Sequence, residues 1–144
     1  MSLIGIITVV GLAAIVVLAV FFVKNRANDQ LKDIMARRKP TSKLVSRAEY
    51  VEGMEHIPVA ISLSDSSVFY ENGDLQAQLD LSRIDEVEYD NELAFGKEVP
   101  EGKVLRLRSH GQAFEFILDN SSAQQWLSSL PAHRMDEPGS VRAV

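Results

Sequence analysis

Residues Ile4 to Val23 read IGIITVVGLAAIVVLAVFFV, an apolar run without a charged side chain. About 20 residues at 1.5 Å each make a helix roughly 30 Å long, which matches the hydrocarbon core of a bilayer. A cleaved signal peptide would have a charged leading segment, a shorter apolar run and a small-residue cleavage site. Here only uncharged side chains precede the run, and bulky Phe21, Phe22 and Val23 end it. We therefore expect an uncleaved transmembrane anchor over residues 1–23.

The charges beside this run predict the orientation of the chain. No Lys or Arg precedes it. Six basic residues that we expect near the membrane surface follow it: Lys24, Arg26, Lys32, Arg37, Arg38 and Lys39. The positive-inside rule then puts the N-terminus outside and everything after Val23 in the cytoplasm. Because the chain also lacks cysteine and has short loops, we expect a single-pass protein of a bacterial inner membrane.

Residues 24–47 predict a basic helical stalk. The segment has eight basic and two acidic side chains, a net charge of +6, and no Gly or Pro before Pro40. A short apolar stripe lies at helical spacing: Leu31, Ile34 and Met35. We expect the membrane helix to continue to near Pro40 and to lift the next domain about 20 Å from the bilayer. The charges either fix topology or bind lipid, and the lack of interleaved aromatic residues argues against nucleic acid.

Residues 48–130 predict a small β domain. Apolar residues alternate with small or polar ones from Val59 to Leu63, and Asn72–Gly73 is a strong hairpin signal. Further strands are predicted at Leu75 to Leu81, Ile84 to Tyr89, Val104 to Arg108 and Ala113 to Leu118. The Gly- and Pro-containing stretch from Asp90 to Gly102 predicts a long loop between two of them.

The chain then changes to the period of a helix. An apolar face recurs at helical spacing: Ala123, Trp126, Leu127 and Leu130. Ser121 and Gln124 match a capping box at its start, and Pro131 should end it. Residues 131–144 predict a flexible tail.

Six or seven antiparallel strands followed by one amphipathic helix resemble the pleckstrin-homology-like superfamily, including its bacterial and GRAM-type members. Val59 to Tyr70 resembles the first hairpin, and Leu79 to Val87 (LDLSRIDEV) resembles a strand–turn–strand segment. Phe114 to Phe116 and the Trp126 helix resemble the closing strand and capping helix. The resemblance implies an α+β fold in which bent sheets form a partly open barrel capped by the helix. Its expected core includes Trp126, Phe114, Phe116, Leu79 and Leu81.

Lipid recognition by the domain is disfavoured by its charge. Phosphoinositide-binding members of that superfamily use a basic first hairpin loop, whereas the matching Asp65–Ser66–Ser67 has no basic residue. Residues 48–144 carry seven basic and eighteen acidic side chains, a net charge of −11. Anionic head groups would repel such a domain.

Catalytic and metal-binding patterns are missing from the sequence. There is no cysteine, and His56, His110 and His133 have no second ligand at metal-binding spacing. No Gly-x-Ser-x-Gly elbow or phosphate-binding Gly-rich loop occurs. The acidic run from Asp85 to Glu92 lacks the calcium-loop pattern and predicts a solvated edge. We expect no enzymatic activity, no metal, no cofactor and no small-molecule substrate.

Two features are candidates for contact with a protein partner. Leu93 and Phe95 lie in the long loop and either cover the core or remain exposed. Arg106 and Arg108 alternate with leucines and should face outward, where they either pair with Glu115 and its neighbours or bind an acidic partner. The leading hypothesis is a membrane-anchored adaptor or scaffold that binds another protein. The alternatives are an accessory subunit of a larger membrane complex and, third, a lipid-sensing module.

Overall fold

The computed structural model describes residues 2–134. Helix α1 covers Leu3–Arg38, 36 residues, and a 3-10 turn at Lys39–Thr41 contains Pro40 and ends it. Ser2 caps its start, since its hydroxyl accepts the N–H of Gly5 at 3.3 Å. Large apolar side chains of its first part are exposed, and the helix is long and apolar enough to cross a membrane. The predicted apolar helix and its continuation to near Pro40 are confirmed.

The rest of the described chain is an open antiparallel sheet with one further helix. Within residues 2–134 the strands are β1 Leu44–Glu52, β2 Glu55–Leu63, β3 Ser67–Glu71, β4 Gln76–Asp80, β5 Glu86–Asp90, β6 Gly102–Ser109, β7 Gln112–Asp119 and β8 His133–Arg134. Helix α2, Asn120–Ser129, follows β7. The strand order is β4-β3-β2-β1-β7-β6-β5-β8. The α+β class is therefore confirmed. Seven of these strands precede α2, and the two-residue strand β8 follows it.

Strand β1 was not predicted, and the expected boundary between residues 47 and 48 falls inside it. Its core-facing side chains are Ser46, Ala48 and Tyr50, of which the first two are small and buried. Such a face does not show the alternation of large apolar residues that identifies a half-buried strand. The long pairing of β1 with β2, from Leu44 opposite Leu63 to Glu52 opposite Glu55, stabilises it instead.

Two tight turns differ in how they are built. Asn72–Gly73 does join β3 to β4, but the turn depends on the Asn72 side chain, which accepts the N–H groups of Asp74 and Leu75 at 2.8 and 2.7 Å. The left-handed backbone expected for a two-residue hairpin occurs between β6 and β7, at His110 (φ 51°) and Gly111 (φ 77°). Glycine adopts that region without strain.

Helix α2 covers the core through its tryptophan. Trp126 is fully buried, and its indole N–H donates to the Ser46 hydroxyl of β1 at 3.0 Å. Asp119, not Ser121, caps the helix, because its carboxylate accepts the N–H of Ser122 at 2.7 Å. The predicted capping box is therefore wrong. Aspartate is among the best N-cap residues and begins the helix two residues earlier.

The five residues expected in the core all lie in or against one apolar cluster. Trp126 and Phe116 are fully buried, whereas three other expected members are half-buried and pack against the same cluster: Leu79, Leu81 and Phe114. The rings of Tyr50 and Tyr70 join them, with centroids 5.0 Å apart. Burial raises the pKa of Tyr70 to about 12.

The predicted tail is not free along its whole length. His133 and Arg134 pair with Val87 and Glu86 and add the short strand β8 to the edge of β5. Residues 135–144 of that tail lie outside the described residues.

Candidate functional site

The end of α1 packs on the outer face of the sheet. Leu31 and Ile34 are 3% and 8% exposed and contact Ala60 of β2, with Met35 half-buried beside them. The predicted apolar stripe is thus the docking face of the helix. The small side chain of Ala60 leaves room for the two larger ones.

A bidentate ion pair fixes this contact at the C-terminal end of α1. Arg38 Nε and Nη2 donate to Glu71 Oε2 and Oε1 at 2.9 and 2.6 Å, and Gln76 donates to the same carboxylate at 3.3 Å. The guanidinium also lies 4.0 Å from the centre of the Phe69 ring. Glu71 is only 2% exposed, and the hydrogen bond from Arg38 holds the pKa of its carboxyl below the ordinary value. Arg38 therefore binds the domain and not the membrane surface, contrary to the prediction.

A second set of contacts between α1 and the β domain lies nearer the apolar segment of the helix. Arg47 of β1 donates to Asn28 at 2.7 Å. The β3–β4 turn also approaches the helix closely, since a Cβ at Gly73 would collide with Gln30. Asn28 follows Val23 by five residues, which is about 8 Å along the helix axis. The domain thus docks along the helix from just beyond the apolar segment, and the stalk does not hold it about 20 Å away as predicted.

Arg106 lies on the outer face of β6, as its alternation with leucines predicts, but it is only 3% exposed. It donates to Glu115 Oε2 at 3.0 and 3.2 Å and to the Glu92 carbonyl at 2.9 Å, and it is 3.0 Å from Glu88 Oε2. Burial opposes its charge, but the bonds to Glu88 and Glu115 outweigh that effect and raise the pKa of Arg106. The predicted role of Arg106 in binding an acidic partner is corrected, since its guanidinium is occupied within the domain.

The loop between β5 and β6 explains that burial. Leu93, 2% exposed, packs between Val51 and Val104, so its predicted role as a partner contact is also corrected. The next residue, Ala94, donates its N–H to Glu115 Oε2 at 2.9 Å. Phe95 then points outward with 56% of its surface exposed. The two apolar candidates in this loop therefore differ, because Leu93 lies in a small second core and Phe95 is presented to solvent.

Arg108 keeps its outward position. Its side chain is 45% exposed, and Nε lies 3.3 Å from Glu86 Oε2 on the neighbouring strand. The sequence predicted cross-strand pairing with Glu115 and its neighbours, whereas the carboxylate beside Arg108 belongs to β5. The exposed part of the guanidinium is still accessible.

A basic groove lies between α1 and the start of β1. It has a volume of about 660 Å³ and is lined by Lys32, Met35, Ala36 and Lys39 on one side and by the segment from Ser42 to Val45 on the other. The sequence predicted these lysines as membrane-surface residues and missed the groove, because its second wall is the unpredicted strand. An apolar pair, Leu44–Val45, directly after a basic cluster was the available signal.

The described residues contain no group of three or more side chains that could hold a metal ion. His56 is instead 3.1 Å from Glu49 across the β1–β2 hairpin, and His110 lies in the exposed β6–β7 turn. The chain matches no model of a known protein family, and a search of curated proteins gives no match.

Proposed function

We propose that the chain is a non-enzymatic, membrane-anchored adaptor whose cytoplasmic domain binds another protein. The observation that carries this proposal is Phe95, a large aromatic side chain that is 56% exposed on a loop fixed by its neighbours. Buried Leu93 and the bond from Ala94 to Glu115 hold the backbone immediately before it. A side chain presented in this way loses little conformational freedom on binding, and aromatic residues are enriched in interface hot spots.

The strand order supports a pleckstrin-homology-like fold for the domain. Seven strands precede α2 along the chain, and α2 follows β7 directly. In the sheet these strands lie in the order β4-β3-β2-β1-β7-β6-β5. That helix places Trp126 in the core, in agreement with the resemblance seen in the sequence. Members of one fold serve different functions, so the proposed activity depends on the exposed site and not on the fold.

The apolar part of α1 supports a single-pass membrane anchor, and the lack of cysteine favours a bacterial inner membrane as its location. Residues 4–23 have the length and composition of a membrane span, and basic Lys24 and Arg26 follow them. Under the positive-inside rule the domain lies in the cytoplasm. Because α1 continues without a break into its docking contact with β2, the domain has a fixed orientation relative to the span. A fixed orientation is useful to an adaptor that must present one surface away from lipid.

Site-specific photocrosslinking in native membranes tests the proposal. A photoreactive phenylalanine analogue at position 95 should crosslink to a protein of discrete mass. The same analogue at Met54, which is 91% exposed in the β1–β2 turn, is the matched control and should not give that product. Crosslinking of lipid alone at position 95, or equal products at both positions, would contradict the adaptor function.

A further inference from the structure

We propose that the basic groove between α1 and β1 binds an acidic segment of the partner protein that also carries apolar side chains. This inference rests on the proposed function, because it assigns a site and a chemistry to the same partner. The groove of about 660 Å³ combines apolar lining from Met35, Leu44 and Val45 with the ammonium groups of Lys32, Lys39 and Lys43. Apolar side chains of a bound segment would contact the lining while its carboxylates meet the lysines.

The lysines of the groove are largely available. Within the described residues, Lys32 and Lys39 have no carboxylate within ion-pair distance, and Lys43 lies 3.2 Å from Asp65, whose side chain is 92% exposed. Such an exposed ion pair contributes little free energy, so Lys43 can readily exchange Asp65 for another carboxylate. The groove therefore offers three cations to an incoming acidic segment.

The charge distribution of the whole chain favours the same site. Residues 24–47 carry a net charge of +6, whereas residues 48–144 carry −11. An acidic segment would be repelled by most of the domain and attracted to the stalk, so charge alone directs it toward the groove. Nucleic acid is a poorer occupant, since the groove has no aromatic side chain on which a base could stack.

The position of the groove along α1 argues for a protein rather than the surrounding membrane. Lys32 and Lys39 follow Val23 by nine and sixteen residues, which is about 14 and 24 Å along the helix axis. The head-group layer on one side of a bilayer is only about 5–8 Å thick. Because Leu31, Ile34 and Arg38 hold this part of α1 against the sheet, it cannot bend down to the lipid without losing those contacts.

Peptide binding to the full chain in phosphatidylcholine nanodiscs tests the inference. The probe is a fluorescein-labelled peptide of mixed Glu and Leu, compared with one in which Gln replaces Glu. The Lys39→Glu/Lys43→Glu variant should bind the acidic peptide about tenfold more weakly. The matched control Lys97→Glu/Arg83→Glu makes the same charge change at exposed positions elsewhere in the domain and should bind like the parent. Binding should also weaken as salt is added.

Any of the following results would overturn the inference. Equal binding of the Gln peptide would show that carboxylates are not recognised, and equal binding by the groove variant would show that the peptide binds elsewhere. Capture of phosphatidylglycerol-containing vesicles that depends on Lys39 and Lys43 would assign the groove to a lipid surface instead.

A photocrosslinker at Ala36 in the groove separates this inference from the adaptor function. Protein crosslinks at position 95 but not at position 36 refute the groove alone, whereas crosslinks at neither position refute both.

Discussion

Replacing Arg106 by methionine tests whether this residue stabilises the fold or serves a partner. Methionine keeps much of the length of the side chain but removes its charge and its five donors. Glu115, whose side chain is 10% exposed, would then keep a buried carboxylate with only the Ala94 N–H as a donor. Breaking a buried ion pair by removing one partner destabilises a protein by about 3–5 kcal/mol. Since Glu88 is 37% exposed, its ion pair with Arg106 adds only about 0.2–1 kcal/mol. Asp90, 3.4 Å from Arg106, is exposed and would be solvated by water when the guanidinium is removed.

We therefore expect Arg106→Met to lower the free energy of unfolding by about 3–5 kcal/mol, most of it from Glu115. Trp126 is the only tryptophan in the chain and is fully buried, so its fluorescence reports denaturant unfolding of the full chain in detergent. The double variant Arg106→Met/Glu115→Gln should recover much of the loss, because no unpaired charge remains. Arg108→Met is the matched exposed control and should change stability by less than about 0.5 kcal/mol.

The result that refutes this reasoning is an Arg106→Met chain that unfolds like the parent. If that chain also lost the crosslink at position 95, the guanidinium would be a direct partner contact, which is the second of the two roles that the sequence left open. A destabilised variant that is not rescued by Glu115→Gln would instead show that the Glu115 charge is not the source of the loss.

Two further predictions concern the core and the helix contact. Trp126→Ala should lower the free energy of unfolding, measured by far-UV circular dichroism, by about 3–5 kcal/mol. Leu127→Ala, at a position 47% exposed, is the control and should have a much smaller effect. Equal losses of stability in the two variants would contradict the capping role of α2. The lowered pKa of Glu71 means that its ion pair stabilises the chain above the ordinary value of 4.5 and is lost as the pH falls through the folded-state pKa. The difference in urea midpoint between the parent and Glu71→Gln should therefore narrow in acid, and a pH-independent difference would show that the carboxylate is not held charged.

Much of the fold follows from periodicity alone. The apolar run, the alternation of Val59 to Leu63 and the helical spacing around Trp126 each predict the element that forms. Strand β1 was not predicted from the sequence because two of its core-facing side chains, Ser46 and Ala48, are small. Ser46 belongs in the core only because it accepts the indole N–H of Trp126 at 3.0 Å, a contact between residues eighty positions apart. No local pattern contains that information.

The candidate site was harder to predict than the fold, for a related reason. Alternation correctly placed Arg106 on the outer face, but whether an outer face is exposed depends on what covers it. Here the loop with Leu93 covers it and leaves Phe95 outside. Likewise, Arg38 looks like one of several stalk cations in the sequence. Only the fold reveals that Glu71, a buried carboxylate on β3, lies opposite it.

The docking of α1 against the domain gives a way to distinguish the adaptor hypothesis from the accessory-subunit hypothesis. An α-helix turns by about 100° per residue, so the direction in which Phe95 and the groove face around the span is set by the number of residues between Val23 and Leu31. Binding of a partner that reaches the domain from the cytoplasm does not depend on that direction, because a single span rotates freely about the bilayer normal. An accessory subunit must present its domain and its transmembrane helix to the same complex at once. One residue inserted before Asn28 would therefore leave an adaptor able to bind, while it would turn the domain of an accessory subunit away from its neighbours.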